Sequence, residues 1–213
     1  MSGFFITLEG IDGSGKSTQL CLLKDWLTKQ GRQLLVTREP GGTKIGDQIR
    51  QILLDGSNSR LTAMAELLLY AADRAQHVSE EIRPALAAGQ LVLCDRYTDA
   101  TLAYQGYGRG LSHTIIKELN SIATGQLSPD LTLLFDLDVE IAQARVAAGR
   151  AADRLDREEY EFHERVRHGY LEIAQTEPNR FIIVPAAAPP DIVFDHLLAE
   201  LSHRQINFVS IPT

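Results

Sequence analysis

One stretch, Gly10-Ile11-Asp12-Gly13-Ser14-Gly15-Lys16-Ser17-Thr18, limits what this chain can fold into. It fits the pattern Gly, four residues, then Gly-Lys-Ser, which works only between a strand and a helix. Both neighbours are present. Phe4, Phe5, Ile6, Thr7 and Leu8 read as a short buried strand. Leu20, Leu23 and Leu27 recur at helical spacing, and Gly31 makes a helix stop. Backbone N–H groups of such a loop and of the first helical turn converge on phosphate oxygens, and glycines permit the close approach. Residues 10–18 are therefore the expected ATP-binding segment, with Lys16 reaching the β- and γ-phosphates and the Ser17 hydroxyl holding Mg²⁺. An ordinary glycine-rich turn is the competing reading, and the flanking strand and helix argue against it.

The 213 residues carry 21 basic and 28 acidic side chains, a net charge of −7. General nucleic-acid binders are more often basic. An acidic chain that binds a polyanion must gather its arginines locally, so the position of each arginine is informative. Cys21 and Cys94 are too few for a disulfide framework or a four-thiolate zinc site. Both stand among apolar residues and read as buried free thiols. No basic leader precedes the first strand, and no apolar run is long enough to span a bilayer. A soluble cytoplasmic protein without nucleic-acid or membrane partners is expected.

Further along, a strand over residues 33–37 runs into Arg38-Glu39-Pro40-Gly41-Gly42, a stiff turn followed by a permissive one. It presents Arg38, Glu39 and Pro40 just past a strand end, the edge of a parallel sheet where ligands bind. Residues 45–53 read as a short helix and 61–88 as one apolar helix carrying Tyr70 and Arg74 on a shared face. A third strand over 90–94 delivers Asp95-Arg96-Tyr97. An aspartate so placed is what a phosphate-loop site needs to hold Mg²⁺. Residues 98–111 include Ala103-Tyr104-Gln105-Gly106-Tyr107-Gly108-Arg109-Gly110, a shaped loop or helix end. Then follow a helix (115–123), a strand (131–135), a helix (139–148), an Arg-rich polar connection (149–157), a helix with Phe162, Val166, Tyr170 and Ile173 on one face, a strand (181–184) and a last helix (192–201). Five strands alternating with helices predict one α/β domain over residues 1–213, with a parallel sheet covered on both faces. The 149–157 segment is solvated surface or a mobile lid that brings arginine to the phosphates.

A phosphate loop permits many functions. The Asn-Lys-x-Asp guanine-reading motif of regulatory GTPases is missing, and a motor or helicase ATPase needs more chain. A small kinase remains, which must hold two substrates and exclude water. Arg38, Arg74, Arg96 and the 150–157 cluster then suit an acceptor that is itself a phosphate. A phosphate oxygen as acceptor needs no strong general base, so the six histidines need no catalytic role; His77 and His163 read as helix-surface or packing residues.

The blocks Glu9-Gly10-Ile11-Asp12-Gly13-Ser14-Gly15-Lys16-Ser17-Thr18, Thr37-Arg38-Glu39-Pro40-Gly41-Gly42, Tyr70-Ala71-Ala72-Asp73-Arg74, Asp95-Arg96-Tyr97, the 103–110 loop and Asp153-Arg154-Leu155-Asp156 resemble, in order and spacing, those of the bacterial thymidylate kinases. The resemblance implies a phosphate-loop nucleoside-monophosphate-kinase fold with an Arg-rich lid over about 149–157. It also implies ATP-dependent phosphorylation of dTMP to dTDP in dTTP biosynthesis, with Mg²⁺, by a homodimer. Tyr70 then stacks on thymine and Arg74 donates to its O4, while Thr101 and Gln105 lie near the N3 and O2 edge and Tyr104 lies under the sugar. Arg38 and Arg96 hold the dTMP phosphate, Asp12 aligns donor, acceptor and metal, and Asp95 lies near Mg²⁺. The loop has Ser14 and no arginine, so the chain resembles the branch in which lid arginines supply that charge, with Arg150 and Arg154 as candidates. Ala100 and Asp156 depart from the serine and glutamate common in relatives. A monophosphate kinase of another base preference and a non-catalytic nucleotide-binding switch remain as alternatives. Arg74 suits an acceptor such as thymine O4, whereas cytosine offers a donor there.

Overall fold

The computed structural model describes residues 3–149 and 153–206. Five parallel strands form one sheet in the order β2-β3-β1-β4-β5: β1 (Phe4–Glu9), β2 (Leu34–Arg38), β3 (Leu91–Asp95), β4 (Leu131–Asp136) and β5 (Phe181–Pro185). β1 and β4 are buried almost throughout, as strands covered by helices on both faces must be. Leu8 pairs with Asp95 and with Leu133, so β1 lies between β3 and β4 and its C-terminal end opens between them. The chain reverses its direction of travel across the sheet there, and such a switch point leaves a crevice above the strand ends.

The first helix, α1 (Lys16–Lys29), follows the phosphate loop directly and buries Leu23 and Leu27. α2 (Lys44–Leu54) and α3 (Ala63–His77) are capped by Thr43 and Thr62, whose hydroxyls accept from Gly46 N and Ala65 N. The helix expected over 61–88 is not uniform. After α3 the backbone widens into a π turn (Val78–Ile82) before α4 (Arg83–Ala87). Pro84 explains this, because it has no N–H to give the preceding turn and its ring crowds the carbonyl four residues back. The 98–111 segment is likewise helical: α5 (Thr98–Thr101) opens into a π stretch (Leu102–Gly108) that contains Gly106 and Gly108. Wide turns of this kind frequently mark functional sites. α6 (His113–Thr124), α7 (Val139–Gly149), α8 (Tyr160–Thr176) and α9 (Pro190–His203) complete the covering layers. The expected face of α8 is the buried one, with Phe162, Val166, Tyr170 and Ile173 packed into the main core.

Two sequence expectations need correction or narrowing. Cys94 is buried on β3, but Cys21 is exposed, because α1 turns Leu20 and Leu23 inward and leaves position 21 on the solvent side. His77 and His163 are both buried, so the packing reading holds for them and the surface one does not.

The phosphate loop is seated against α7. A Cβ on Gly13 would stand 2.2 Å from the carbonyl oxygen of Ala142, and the residue has a φ of +84°. A side chain there must push the loop off α7, and overpacking of this kind typically costs ~1–3 kcal/mol. Gly13→Ala is therefore expected to weaken ATP binding by at least about tenfold while the sheet stays folded, as read by calorimetric titration with ATP and by circular dichroism. Unchanged ATP affinity would contradict this packing account.

Candidate active site

A cleft of about 1130 Å³ lies above the C-terminal ends of β1, β2 and β3. Pockets for one small ligand usually occupy roughly 300–1,000 Å³, so the space suits two. One end is walled by the phosphate loop, by Arg145 and Val146 of α7, and by the 186–190 segment between β5 and α9. Arg145 shapes that wall, donating from Nη1 and Nη2 to the carbonyls of Ala186 and Ala187, each at 3.1 Å. The other end is walled by Arg38, Pro40, Tyr70, Arg74, Arg96, Thr101, Tyr104 and Gln105, together with Ala100.

At the loop, Gly13 and Gly15 take positive φ and α1 begins at Lys16. The Lys16 ammonium folds back and donates to the carbonyls of Gly10 (3.0 Å) and Ile11 (2.9 Å). Burial pushes its pKa down to about 8; Arg96 adds to the shift and Asp95, Asp12 and Glu9 oppose it. Beside it the Ser17 hydroxyl donates to Asp95 Oδ2 at 3.3 Å. The other oxygen, Asp95 Oδ1, is buried without a hydrogen-bond partner. A hydroxyl and a carboxylate oxygen left open are hard donors, and they fit a Mg²⁺ that takes its remaining ligands from phosphates and water.

The two ends meet at Asp12. Its carboxylate lies 2.9 Å from Arg96 Nη2 and accepts from the Tyr104 hydroxyl at 3.1 Å. The Arg96 guanidinium stacks 4.8 Å above the Tyr104 ring. Arg96 is one of the few non-glycine residues with positive φ, at 71°.

Arg74 organises the far end. It is 1% exposed, yet four of its five N–H groups are engaged. Nε donates to Glu39 Oε2 (2.7 Å), Nη1 to Thr101 Oγ1 (2.9 Å) and Asn120 Oδ1 (2.7 Å), and Nη2 to the Tyr97 carbonyl (2.9 Å). One N–H of Nη2 is left. Glu39 also shares a hydrogen bond with His77 Nδ1 at 3.0 Å; it lines the cleft while being almost wholly buried. Asp73 accepts from Gly41 N and fixes the turn; burial, with Glu39 beside it, raises its carboxyl to about 7. Gln105 donates to the buried Glu66 at 2.7 Å. Arg38 is different: its side chain is 55% exposed and only loosely paired with Asp47, at 3.8 Å.

Of the two lid arginines expected in catalysis, Arg150 lies outside the described residues. Arg154 does not reach the cleft in this structure. Its guanidinium donates to Glu66 Oε2 and to the Leu53 carbonyl, because the 153–156 turn, closed by Asp153 and Asp156, docks it onto α2 and α3.

The family model for thymidylate kinase matches residues 8–197. The chain belongs to the thymidylate kinase family. It is 56% identical over 188 residues to the thymidylate kinase of Citrifermentans bemidjiense, covering 85% of this chain and 84% of the relative. It is 52% identical to that of a Geobacter species over 95% of this chain and 92% of the relative. The crystal structure of the Ehrlichia chaffeensis thymidylate kinase superposes with a TM-score of 0.78 at 33% identity, over 95% of this chain and all of that one. The fold is thus that of a phosphate-loop nucleoside-monophosphate kinase, as the sequence implied.

Within this thymidylate kinase fold, several residues of the site escaped the sequence reading: Glu9, Glu66, Asp73, His77, Asn120 and Arg145. A signal for Glu66 was present, since Glu66, Tyr70 and Arg74 are spaced by four and share one face of α3. The Lys16 shift makes a prediction. The protonated ammonium is the form that pairs with phosphate. Above about pH 8 the free protein has lost that proton, and ATP binding must restore it. ATP affinity measured by calorimetry is expected to fall as pH rises through 8, with net proton uptake revealed by buffers of different ionisation enthalpy. Constant affinity without proton uptake from pH 7 to 9 would contradict it.

Proposed function

We propose that this thymidylate kinase transfers the γ-phosphoryl of ATP in line to dTMP, with the phosphate loop holding the donor and a separate set of arginines holding the acceptor. The observation that carries this reading is the 2.9 Å contact between Asp12, on the loop, and Arg96, from the end of β3. It brings the donor-holding and acceptor-holding elements to one point, where two phosphates would meet head-on. In this reading Lys16 leaves the loop carbonyls for the β- and γ-phosphates. Ser17 and Asp95 would hold Mg²⁺, which would neutralise charge on those phosphates. Arg38 and Arg96 hold the dTMP phosphate, whose oxygen attacks without a strong general base. Tyr70 covers the thymine ring, the free N–H of Arg74 meets O4, Thr101 and Gln105 flank the N3 and O2 edge, and Tyr104 lies under the sugar. Preorganised cations of this kind stabilise the charge that spreads between the nucleotides.

The lid supplies the remaining charge. Arg154 would have to leave Glu66 and Leu53 to do so, and Arg150 is the alternative. The reading also includes one domain, a cytoplasmic location and a homodimer. For the dimer, Ile45 and Ile52 on α2 and Met64 and Leu68 on α3 offer exposed apolar side chains. No described helix is long and apolar enough to cross a membrane.

The test is a steady-state assay with Mg-ATP and a panel of dTMP, CMP, AMP and GMP. Conversion of dTMP is expected to be much the fastest; equal turnover of all four would overturn the base assignment, and no turnover would favour a nucleotide-binding switch. In the same assay Arg38→Ala, an exposed change without a folding penalty, is expected to raise KM for dTMP by roughly tenfold or more and leave KM for ATP nearly unchanged. Equal effects on both constants would place the acceptor phosphate elsewhere.

A further inference from the structure

Glu9 ends β1 as a carboxylate with no exposed surface, and it does not line the cleft. It therefore touches neither nucleotide in the reading given above. Its partners all lead to Arg96. Oε1 accepts the backbone N–H of Tyr97 at 2.7 Å, immediately after Arg96. Oε2 accepts the Tyr170 hydroxyl at 2.8 Å, and that same hydroxyl accepts from Arg96 Nη1 at 3.4 Å.

The sheet ladder explains why such support is needed. Arg96 N still donates to Leu8 O at 3.0 Å, continuing the β1–β3 pairing. The chain then leaves the sheet through a left-handed residue, with φ at 71°. A non-glycine residue in that conformation carries backbone strain and persists only where its surroundings over-determine it. Glycine would relieve the strain but would remove the guanidinium. The Glu9 carboxylate takes the next N–H in place of a backbone carbonyl, and a hydrogen bond from a backbone N–H to a carboxylate is stronger than one to a neutral oxygen.

We infer that Glu9 is a positioning residue for Arg96, holding its backbone through Tyr97 N–H and its guanidinium through the Tyr170 hydroxyl, so that the charge is aimed at the junction of the two phosphates. This rests on the acceptor-phosphate role given to Arg96. The burial of Glu9 agrees with it: desolvation, with Asp99 adding to it, raises the carboxyl to about 7 against the pull of Arg96, Tyr170 and Tyr97 N–H. A buried acid held at such a cost, away from the ligands, acts through what it holds.

A double-mutant cycle on the full-length enzyme, with kcat and both KM values measured against ATP and dTMP, tests this. Arg96→Ala is expected to lower kcat/KM for dTMP strongly. Glu9→Ala is expected to lower it by roughly 10- to 100-fold in the Arg96 background, with KM for ATP changed by less than about threefold. In the Arg96→Ala background the same substitution is expected to cost less than about twofold, because its target is gone. Glu9→Gln keeps an oxygen for Tyr97 N–H and should recover part of the loss. Tyr170→Phe removes only the hydroxyl and runs the same cycle if Glu9→Ala does not fold. If the losses multiply in the double variants, or fall equally on ATP and dTMP, Glu9 does not act through Arg96 and the inference is overturned alone. If Arg96→Ala leaves the dTMP constants unchanged, the role assigned to Arg96 falls, and the inference falls with it.

Discussion

One end of the cleft depends on a guanidinium placed where water hardly reaches it. An unpaired charge in that position costs several kcal/mol, and removing one partner of a buried pair costs about 3–5 kcal/mol. Arg74 at 1% exposure must therefore be matched, and Glu39 matches it at 2.7 Å. The match draws four elements together. Glu39 comes from the turn after β2, Arg74 from α3, Thr101 from α5 and Asn120 from α6. What is left over is a single N–H of Nη2, on a guanidinium fixed by its four other bonds. A side chain held this way loses little freedom if a ligand binds it, and that is the physical meaning of a preformed site.

A second consequence concerns charge. A chain with net charge −7 must offer two polyanions a cationic cleft. It does so by pairing its cations with its own acids and loop carbonyls: Arg96 with Asp12, Arg154 and Arg109 with Glu66, and Lys16 with Gly10 and Ile11. The pairings keep each group oriented. Phosphate oxygens are better partners than neutral carbonyls for Lys16, whose pKa is already pushed down to about 8. Glu66 is a node, holding Gln105, Arg109 and Arg154 of the 153–156 turn on one carboxylate. Through it, the 153–156 turn and the cleft residue Gln105 share a partner.

Much of this was legible in the sequence because it rests on short-range rules. The phosphate loop, the apolar strands that flank it and the Asp95-Arg96-Tyr97 strand end follow from local pattern, and the strands fall where expected to within a residue or so. The strand order is not local in this way: β1 and β2, and β3 and β4, are consecutive in sequence yet are not neighbours in the sheet. The parts that escaped depend on distant partners. Nothing in the neighbourhood of Glu9 announces Tyr170, which is 161 residues away. Glu39 reads as a ligand-facing turn residue past β2, and nothing local announces that α3 brings Arg74 and His77 beside it. Arg154 reads as a free lid cation until the fold supplies Glu66. Cys21 shows the converse, an apolar neighbourhood in sequence that the helix turns outward. Pro84, by contrast, was in plain view, and its effect on the 61–88 helix follows from the missing N–H.

The claim at the centre is that Arg74 is fixed by the protein and reads the base with the one donor it has spare. A crystal structure with dTMP bound tests it most directly. The account predicts that the Arg74–Glu39 pair stays at its present 2.7 Å and that thymine O4 lies within hydrogen-bonding distance of Nη2, with the ring against Tyr70. A guanidinium swung away from Glu39 to reach the ligand, or a base seated elsewhere with that donor still free, would contradict it.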